Sequence, residues 1–502
     1  MKTFPYQMLV GRISLVLRVA IIILVLPASY SAAAPFAYIV AGTPPNVVRI
    51  VDTATNTDAS APIVLPTEAT GPVALSPNGV FLYVLASDRV FQIDLRSRSV
   101  VTVALPLTAS NIALSPDGRR LYASSYLISG GPHLYAIDLV TGTVTSKSLF
   151  ALDGSILAIG RDGTVYWVLS SMYDCTIIPL DPLTLDLGAA SSFGDGVLCH
   201  TVVVSPDGRH IYANAPWSVH APWAVIRAFS TETRKVESRV DLSEYGLNPG
   251  PMALSPDGKV LYSVNGQWIT VLDTATAAIV KTIPALGVRS PGIALTPDGA
   301  FAYITNGDAG TVSVLDTKSL GSPSDLPGFG SAISSGDFIG PAPTAPAVEY
   351  YNSSLDHYFI TAAAAEIADL DGGVHAGWTR TGQSFDVYPS SGRNGSSVCR
   401  FYIPPAVGDS HFYSASAAEC AEVAAKFPKL QLESSEVFRI DTPDVSSGGC
   451  PPGDVPVYRV WNQRLDSNHR YTTSRGTRDA MVAKGYVAEG YGPDVVALCA
   501  PH

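Results

Sequence analysis

Apolar residues along this chain fall in short runs broken by a recurring polar turn. One unit repeats: an apolar strand, a Ser-Pro-Asp-Gly turn, then a second strand that contains a tyrosine. The turn stands at Ser76-Pro77-Asn78-Gly79, Ser115-Pro116-Asp117-Gly118, Ser205-Pro206-Asp207-Gly208, Ser255-Pro256-Asp257-Gly258 and Thr296-Pro297-Asp298-Gly299, with a worn copy at Gly160-Arg161-Asp162-Gly163. Successive copies lie 39, 45, 45, 50 and 41 residues apart. Tyrosines follow in step at Tyr83, Tyr122, Tyr166, Tyr212, Tyr262 and Tyr303. Tyr38 opens a further copy that lacks the turn, which makes seven copies in residues 36–340.

The turn has a physical logic. Proline presets φ at the second position, Asp bonds its own backbone, and Gly takes the positive φ. Each copy reads as strand A (Met252-Ala253-Leu254 in one of them), the turn, strand B with its tyrosine, strand C ending in Asp, and strand D. The C–D turn recurs at Asp52-Thr53, Asp138-Leu139, Asp273-Thr274 and Asp316-Thr317. Four antiparallel strands per copy, stacked radially, remove most exposed edges, so the pattern predicts a seven-bladed β-propeller over residues 34–340. A closed ring needs its two ends in one blade. A last strand near Asp337-Phe338-Ile339 is therefore expected beside strands from the start of the ring.

Tyr303-Ile304-Thr305-Asn306 and Tyr262-Ser263-Val264-Asn265, each followed by a Val-Leu-Asp-Thr strand end, resemble the YVTN family of β-propeller repeats. The resemblance covers about 300 residues. It implies a fold more than a function, because related propellers serve as surface scaffolds, as periplasmic proteins and, more distantly, as lactonases.

A different period follows. Residues 341–347 (Pro341-Ala342-Pro343-Thr344-Ala345-Pro346-Ala347) read as a stiff linker. Over residues 348–502, Asp356-His357-Tyr358-Phe359, Ser410-His411-Phe412-Tyr413 and Asn468-His469-Arg470-Tyr471 recur at spacings of 54 and 58. Each is preceded by an aromatic strand and followed by a short predicted helix, with Ser416 and Glu419 forming a capping box for the second. The expectation is a small α+β domain of three internal repeats, the whole chain being mainly β. Cys399-Arg400-Phe401-Tyr402, His411-Phe412-Tyr413, Glu419-Cys420 and Val457-Tyr458-Arg459 resemble a secreted bacterial domain family of unknown function, often appended to propellers and hydrolases. The chain departs from that family at Arg470, which replaces an aromatic, and at Pro428, placed in the second helix.

Residues 1–33 read as a signal peptide: Lys2, Arg12 and Arg18 precede an apolar core from Val19 to Leu26, Pro27 breaks it, and small residues follow. That core is too short to span a bilayer, so no membrane span is expected after cleavage. Net charge is −11, and losing the three leader cations leaves the mature chain still more acidic, which argues against a nucleic-acid partner. Six cysteines without any Cys-x-x-Cys pair fit disulfides in a secreted or periplasmic protein. Cys399 and Cys420 share one repeat, and Cys450 and Cys499 bracket another. Cys175 and Cys199 fall on one face of the ring by strand parity. The expected bridges are Cys175–Cys199, Cys399–Cys420 and Cys450–Cys499.

The same ring face collects the longest loops, and with them Tyr126, His133, Tyr173, Trp217, His220 and Trp223. Aromatics on loops are costly to leave in water unless they meet a ligand, each other or the C-terminal domain. The repeated His357, His411 and His469 could line three sugar pockets, converge on a pseudo-threefold axis, or tie backbone carbonyls. Their place in a predicted strand-to-helix turn favours the last. No Glu or Cys stands at ligand spacing near them, so neither metal nor cofactor is expected. No nucleophile elbow, zinc helix, phosphate loop or dinucleotide fingerprint occurs. The expected function is a secreted, non-catalytic binding or interaction scaffold for a glycan or cell-envelope partner. The alternative is a lactonase-like propeller hydrolase using the loop acids Asp174 and Asp195 near His200 and His220.

Overall fold

The computed structural model describes residues 35–501 except 43–45, 107, 126–131, 149–153, 171–174, 194–198, 216–223, 246–248, 285–289, 391–394, 407 and 452–453. The expected signal peptide lies outside the described residues, as do Tyr126, Tyr173, Asp174, Asp195, Trp217, His220 and Trp223.

Among the described residues seven sheets occupy 36–340, antiparallel except for one parallel pairing, and the fold is a β-propeller. Five of these sheets are four-stranded with their strands in sequence order, for example Thr201–Val204, His210–Ala215, Val225–Ser230 and Val236–Asp241. The other two hold the seam. Phe36–Ala41 pairs with Val47–Asp52 on one side and with Ile339–Gly340 on the other, with Phe36 opposite Gly340. Ser335–Asp337 then pairs in parallel with the inner strand of the next blade, Pro72–Leu75. The end of the ring thus clasps its first two blades. Tyr38 N donates to Phe338 O at 2.8 Å and Val40 N to Ser334 Oγ at 2.7 Å.

The recurring turn does more than reverse the chain. In Ser255-Pro256-Asp257-Gly258 the Ser255 hydroxyl donates to Asp257 and accepts from Val260 N, while Asp257 accepts from Lys259 N. The Ser255 bond and that amide hold the exposed Asp257 carboxyl down at about 2. Gly258 has φ +72°, and a Cβ there would stand 3.0 Å from Cδ of Pro206 in the preceding blade's turn. Gly299 meets Pro256 in the same way. Proline and glycine are therefore paired between blades as well as within a turn. The strand-B tyrosines also reach across: Tyr122 donates to Pro182 O at 2.8 Å and Tyr303 donates to Asn56, each on another blade's C–D turn.

The C-terminal domain repeats strand, strand, helix, strand three times. The helices are Ala364–Asp371, Ala417–Lys426 and Arg475–Ala483. The central Tyr413 and Tyr471 meet edge to face, and Tyr471 O–H donates to Tyr413 O at 2.8 Å. All three expected disulfides are formed, with Cα separations of 5.6, 6.3 and 5.6 Å. Two local expectations change. The 341–347 stretch, expected as a stiff linker, is instead tied down: Ala342 packs in the propeller core and the strand Ala345–Asn352 has already begun. Pro428 lies beyond the second helix, whose last residue is Lys426, as the helix-terminating influence of proline requires.

Gly258→Ala should lower unfolding free energy by roughly 1–2 kcal/mol from the left-handed backbone alone, with a further loss from the Pro206 contact. In a Pro206→Ala background only the contact part should be recovered, as read from urea midpoints of the four variants.

Candidate functional site

Of the candidates on the ring face, His133 is described. It opens the strand His133–Asp138, is half-buried, and stacks on Tyr135 with centroids 6.4 Å apart. His200 lies beside the Cys175–Cys199 bridge, where burial pushes its imidazole below the ordinary range. His210 sits next to an A–B turn with Nε2 3.2 Å from Glu237. These three form no shared cluster.

The C-terminal histidines sit at the start of the second strand of each copy, not in a strand-to-helix turn. Strand pairing sets Tyr351 opposite Tyr358, Tyr402 opposite His411, and Trp461 opposite His469. Aligning the copies on histidine therefore places the first copy one residue out of step. Tyr358 answers to His411 and His469, while His357 answers to Ser410 and Asn468.

Those three shifted residues come together. Asn468 Nδ2 donates to Ser410 Oγ at 2.6 Å and to Tyr358 O at 3.0 Å, and its Oδ1 accepts from Tyr358 N. His357 is 1% exposed. Its Nδ1 lies 3.0 Å from Asp409 O, in the second copy, and its Nε2 3.0 Å from Asp466 O, in the third. One imidazole thus joins all three copies by their backbone.

His411 and His469 instead face carboxylates. His411 Nε2 is 3.2 Å from Glu433, which also takes Arg400 Nε at 2.8 Å, while Arg400 binds Glu366 of the first helix with both terminal nitrogens. The third copy repeats the array: His469 to Glu489 at 3.4 Å, Arg459 Nε to Glu489 at 3.0 Å, and Arg459 to Glu419 of the second helix. Burial pushes Glu489 upward, but the charge of Arg459 and the bond from His469 outweigh it and hold the carboxyl at about 2. Glu419 thereby completes half of the expected capping box. Ser416 Oγ accepts from Glu419 N at 3.2 Å, but the carboxylate turns to Ser414 and Arg459.

The first copy inverts the charges. Glu349 replaces the strand arginine, and Arg470 of the third copy binds it at 2.8 and 2.9 Å. The inversion is matched in the third helix, which has Thr477 where the others have Glu366 and Glu419. The departure at Arg470 is thus the partner of a second departure at Glu349. None of these ion pairs was anticipated from the sequence, although Arg400 and Arg459 do recur at equivalent strand positions.

Each copy also fixes one aromatic edge at its hairpin. Tyr351 O–H donates to Asp356 at 2.8 Å, Tyr402 O–H to Asp409 at 2.9 Å, and Trp461 Nε1 to Ser467 at 2.9 Å. Tyr358, His411 and His469 lie against these rings at centroid distances of 4.8, 5.3 and 6.5 Å. Tyr351 and Tyr402 are partly exposed, whereas Trp461 is 9% exposed. Among the described residues no group of three or more His, Cys, Asp or Glu could hold a metal ion.

Ring and appendage together define a β-propeller protein with a triple-repeat C-terminal domain. A family described as a domain of unknown function (DUF5648) matches residues 338–429, taking in the first copy and the second through its helix. No curated protein matches the sequence. Among solved structures the chain is similar to one from a mitotic checkpoint complex, at 16% identity and TM-score 0.45 over 53% of this chain and 79% of that one. It is also similar to the β-propeller domain of Cps50 (Swd1) from Myceliophteria thermophila, at 14% identity and TM-score 0.46 over 57% and 98%.

The different duties of the histidines should separate on substitution. His357→Ala removes a buried ring that contacts Asp409 O and Asp466 O, of which Asp466 O keeps the donor Asn462 Nδ2, and should cost roughly 1–3 kcal/mol. His411→Ala, at a more exposed site, should cost clearly less by calorimetry. Equal losses would contradict the distinction. Glu489 titrates below its unfolded value, so its contribution is full above about pH 4.5 and is lost as pH falls toward about 2. Glu489→Gln should flatten that acid limb of the stability curve.

Proposed function

We propose that this protein is a secreted or periplasmic, non-catalytic binding scaffold. In this reading residues 1–33 are removed on export, and seven YVTN-type blades carry the triple-repeat domain. Three disulfides and the lack of any described helix long and apolar enough to cross a membrane fit such a setting.

The ligand we infer is a glycan of the cell envelope, held on the C-terminal domain by the first two copies. The observation that carries this is the repeated pairing of a partly exposed tyrosine with a hairpin aspartate, Tyr351 with Asp356 and Tyr402 with Asp409. A tyrosine ring fixed by its hydroxyl presents a rigid face to sugar CH patches at little entropic cost. Carboxylate oxygens beside it accept from sugar hydroxyls. The third copy, with Trp461 covered and Ser467 in place of the acid, is the closed one. Tyr126, Tyr173, Trp217 and Trp223 on the ring loops, with His133 and His220, supply a second contact face in this proposal.

A glycan and peptidoglycan-fragment array on the mature protein tests it. The expected result is binding that falls at least tenfold in Tyr402→Ala and Tyr351→Ala with melting temperature unchanged. Binding that survives both and is lost only in Trp217→Ala would move the site to the ring, and an array without any binder would overturn the reading.

A further inference from the structure

Where the ring meets the C-terminal domain stand two carboxyl groups, the buried Asp441 and the half-buried Asp454. Asp441 is 8% exposed and follows the short strand Arg439–Ile440, with its backbone paired to Cys499 on both sides. Asp454 immediately precedes the strand Val455–Trp461, and its Oδ2 is buried without a hydrogen-bond partner. Cys499, bridged to Cys450, pairs with Asp441 on one side and with Pro456 on the other, so Asp454, two residues before Pro456, stands on the sheet face that carries Asp441.

The link to the ring is Tyr388. Its side chain belongs to the same apolar cluster as Phe36, Phe338 and Ala342, which are the closing strands of the propeller and the residues just after them. Its hydroxyl donates to Asp441 Oδ2 at 3.1 Å. The surrounding charges are otherwise engaged. Arg439 binds Ser397, Glu436 and the carbonyl of Gly395, Asp386 accepts from Thr344, and Asp444 is turned to Ser446 and Ser447 at the surface. The influences on the two carboxyls are burial, Tyr388 and each other, with no cation among them. Two carboxyls that act on one another away from any cation cannot both ionise cheaply, which favours one proton held between them.

We propose that Asp441 and Asp454 form a proton-sharing latch on the joint between the propeller and the C-terminal domain, closed while one proton is held between them and loosened when both ionise. Burial raises Asp441, and burial together with the Asp441 charge pushes Asp454 up to about 7. A carboxyl raised above its unfolded value near 4 stabilises the fold fully below about pH 4, and that stability is lost as pH rises through about 7. The direction is opposite to that of Glu489, which separates the two in one titration. Exported proteins meet the pH of their surroundings, so such a joint would respond to the medium.

The test uses the full mature chain at pH 5 and pH 8, with urea midpoints and the rate of thermolysin cleavage within residues 341–347. The wild type should be less stable at pH 8 and cut at least threefold faster there. Asp454→Asn should remove most of both differences. Tyr388→Phe, which keeps the ring but deletes the donor to Asp441, should move the loosening to higher pH, because the ionised pair loses its one hydrogen bond. If Asp454→Asn fails to fold, Asp441→Asn is scored by the same criteria. A wild-type cleavage rate that does not change with pH, or an Asp→Asn variant that tracks the wild type, overturns the latch.

Discussion

The ring depends on a short ladder. Phe36 and Ala37 pair with Gly340 and Ile339, and Ser335–Asp337 runs on to the inner strand of the next blade. A four-stranded blade cannot bury both its faces alone. Each packs on its neighbours, so one open seam would expose two faces and the edge strands beside them. The seam draws its inner strand from the far end of the ring, so closure waits on nearly the whole propeller sequence. Its loop-closure cost rises only logarithmically with that length, so the seam can close over so long a span.

The C-terminal domain begins where that clasp ends, and it reinforces it. A Cβ on Gly79 would collide with the carbonyl of Pro341, so the first residue after the ring lies tightly on the turn of the second blade. Tyr388 adds its ring to the closing cluster. The appended domain thus shares core with the propeller's seam, and Tyr388 joins that core to Asp441 through its hydroxyl.

Inside that domain, near-symmetry is broken by charge. Three similar copies could pair in the wrong order at little apolar cost. Helix glutamates bind the strand arginine of the next copy at two of the junctions, Glu366 to Arg400 and Glu419 to Arg459. At the third the polarity is reversed, with Arg470 on Glu349. Permuting the copies would bury Glu349 beside another glutamate or leave an arginine without its acid. Buried pairs of this kind add little net stability over apolar packing, but they penalise mismatched partners heavily.

Much of the architecture could be read before any coordinates. The blade period, the Ser-Pro-Asp-Gly turns and the three disulfides rest on short-range chemistry. A turn is decided within four residues, and strand parity puts Cys175 and Cys199 on one face without further information. By contrast, the one-residue offset of His357, the alternating ion pairs and the Asp441–Asp454 pair depend on residues far apart in the chain. Glu349 and Arg470 are separated by 121 positions, and each alone reads as an ordinary surface charge. Arg470 looked like a lapse in a repeat because its partner was visible only in space. Local sequence determined where the chain turns and which cysteines can meet. Only tertiary packing, by desolvating charges until each needed a particular partner, decided what the histidines, arginines and acids do.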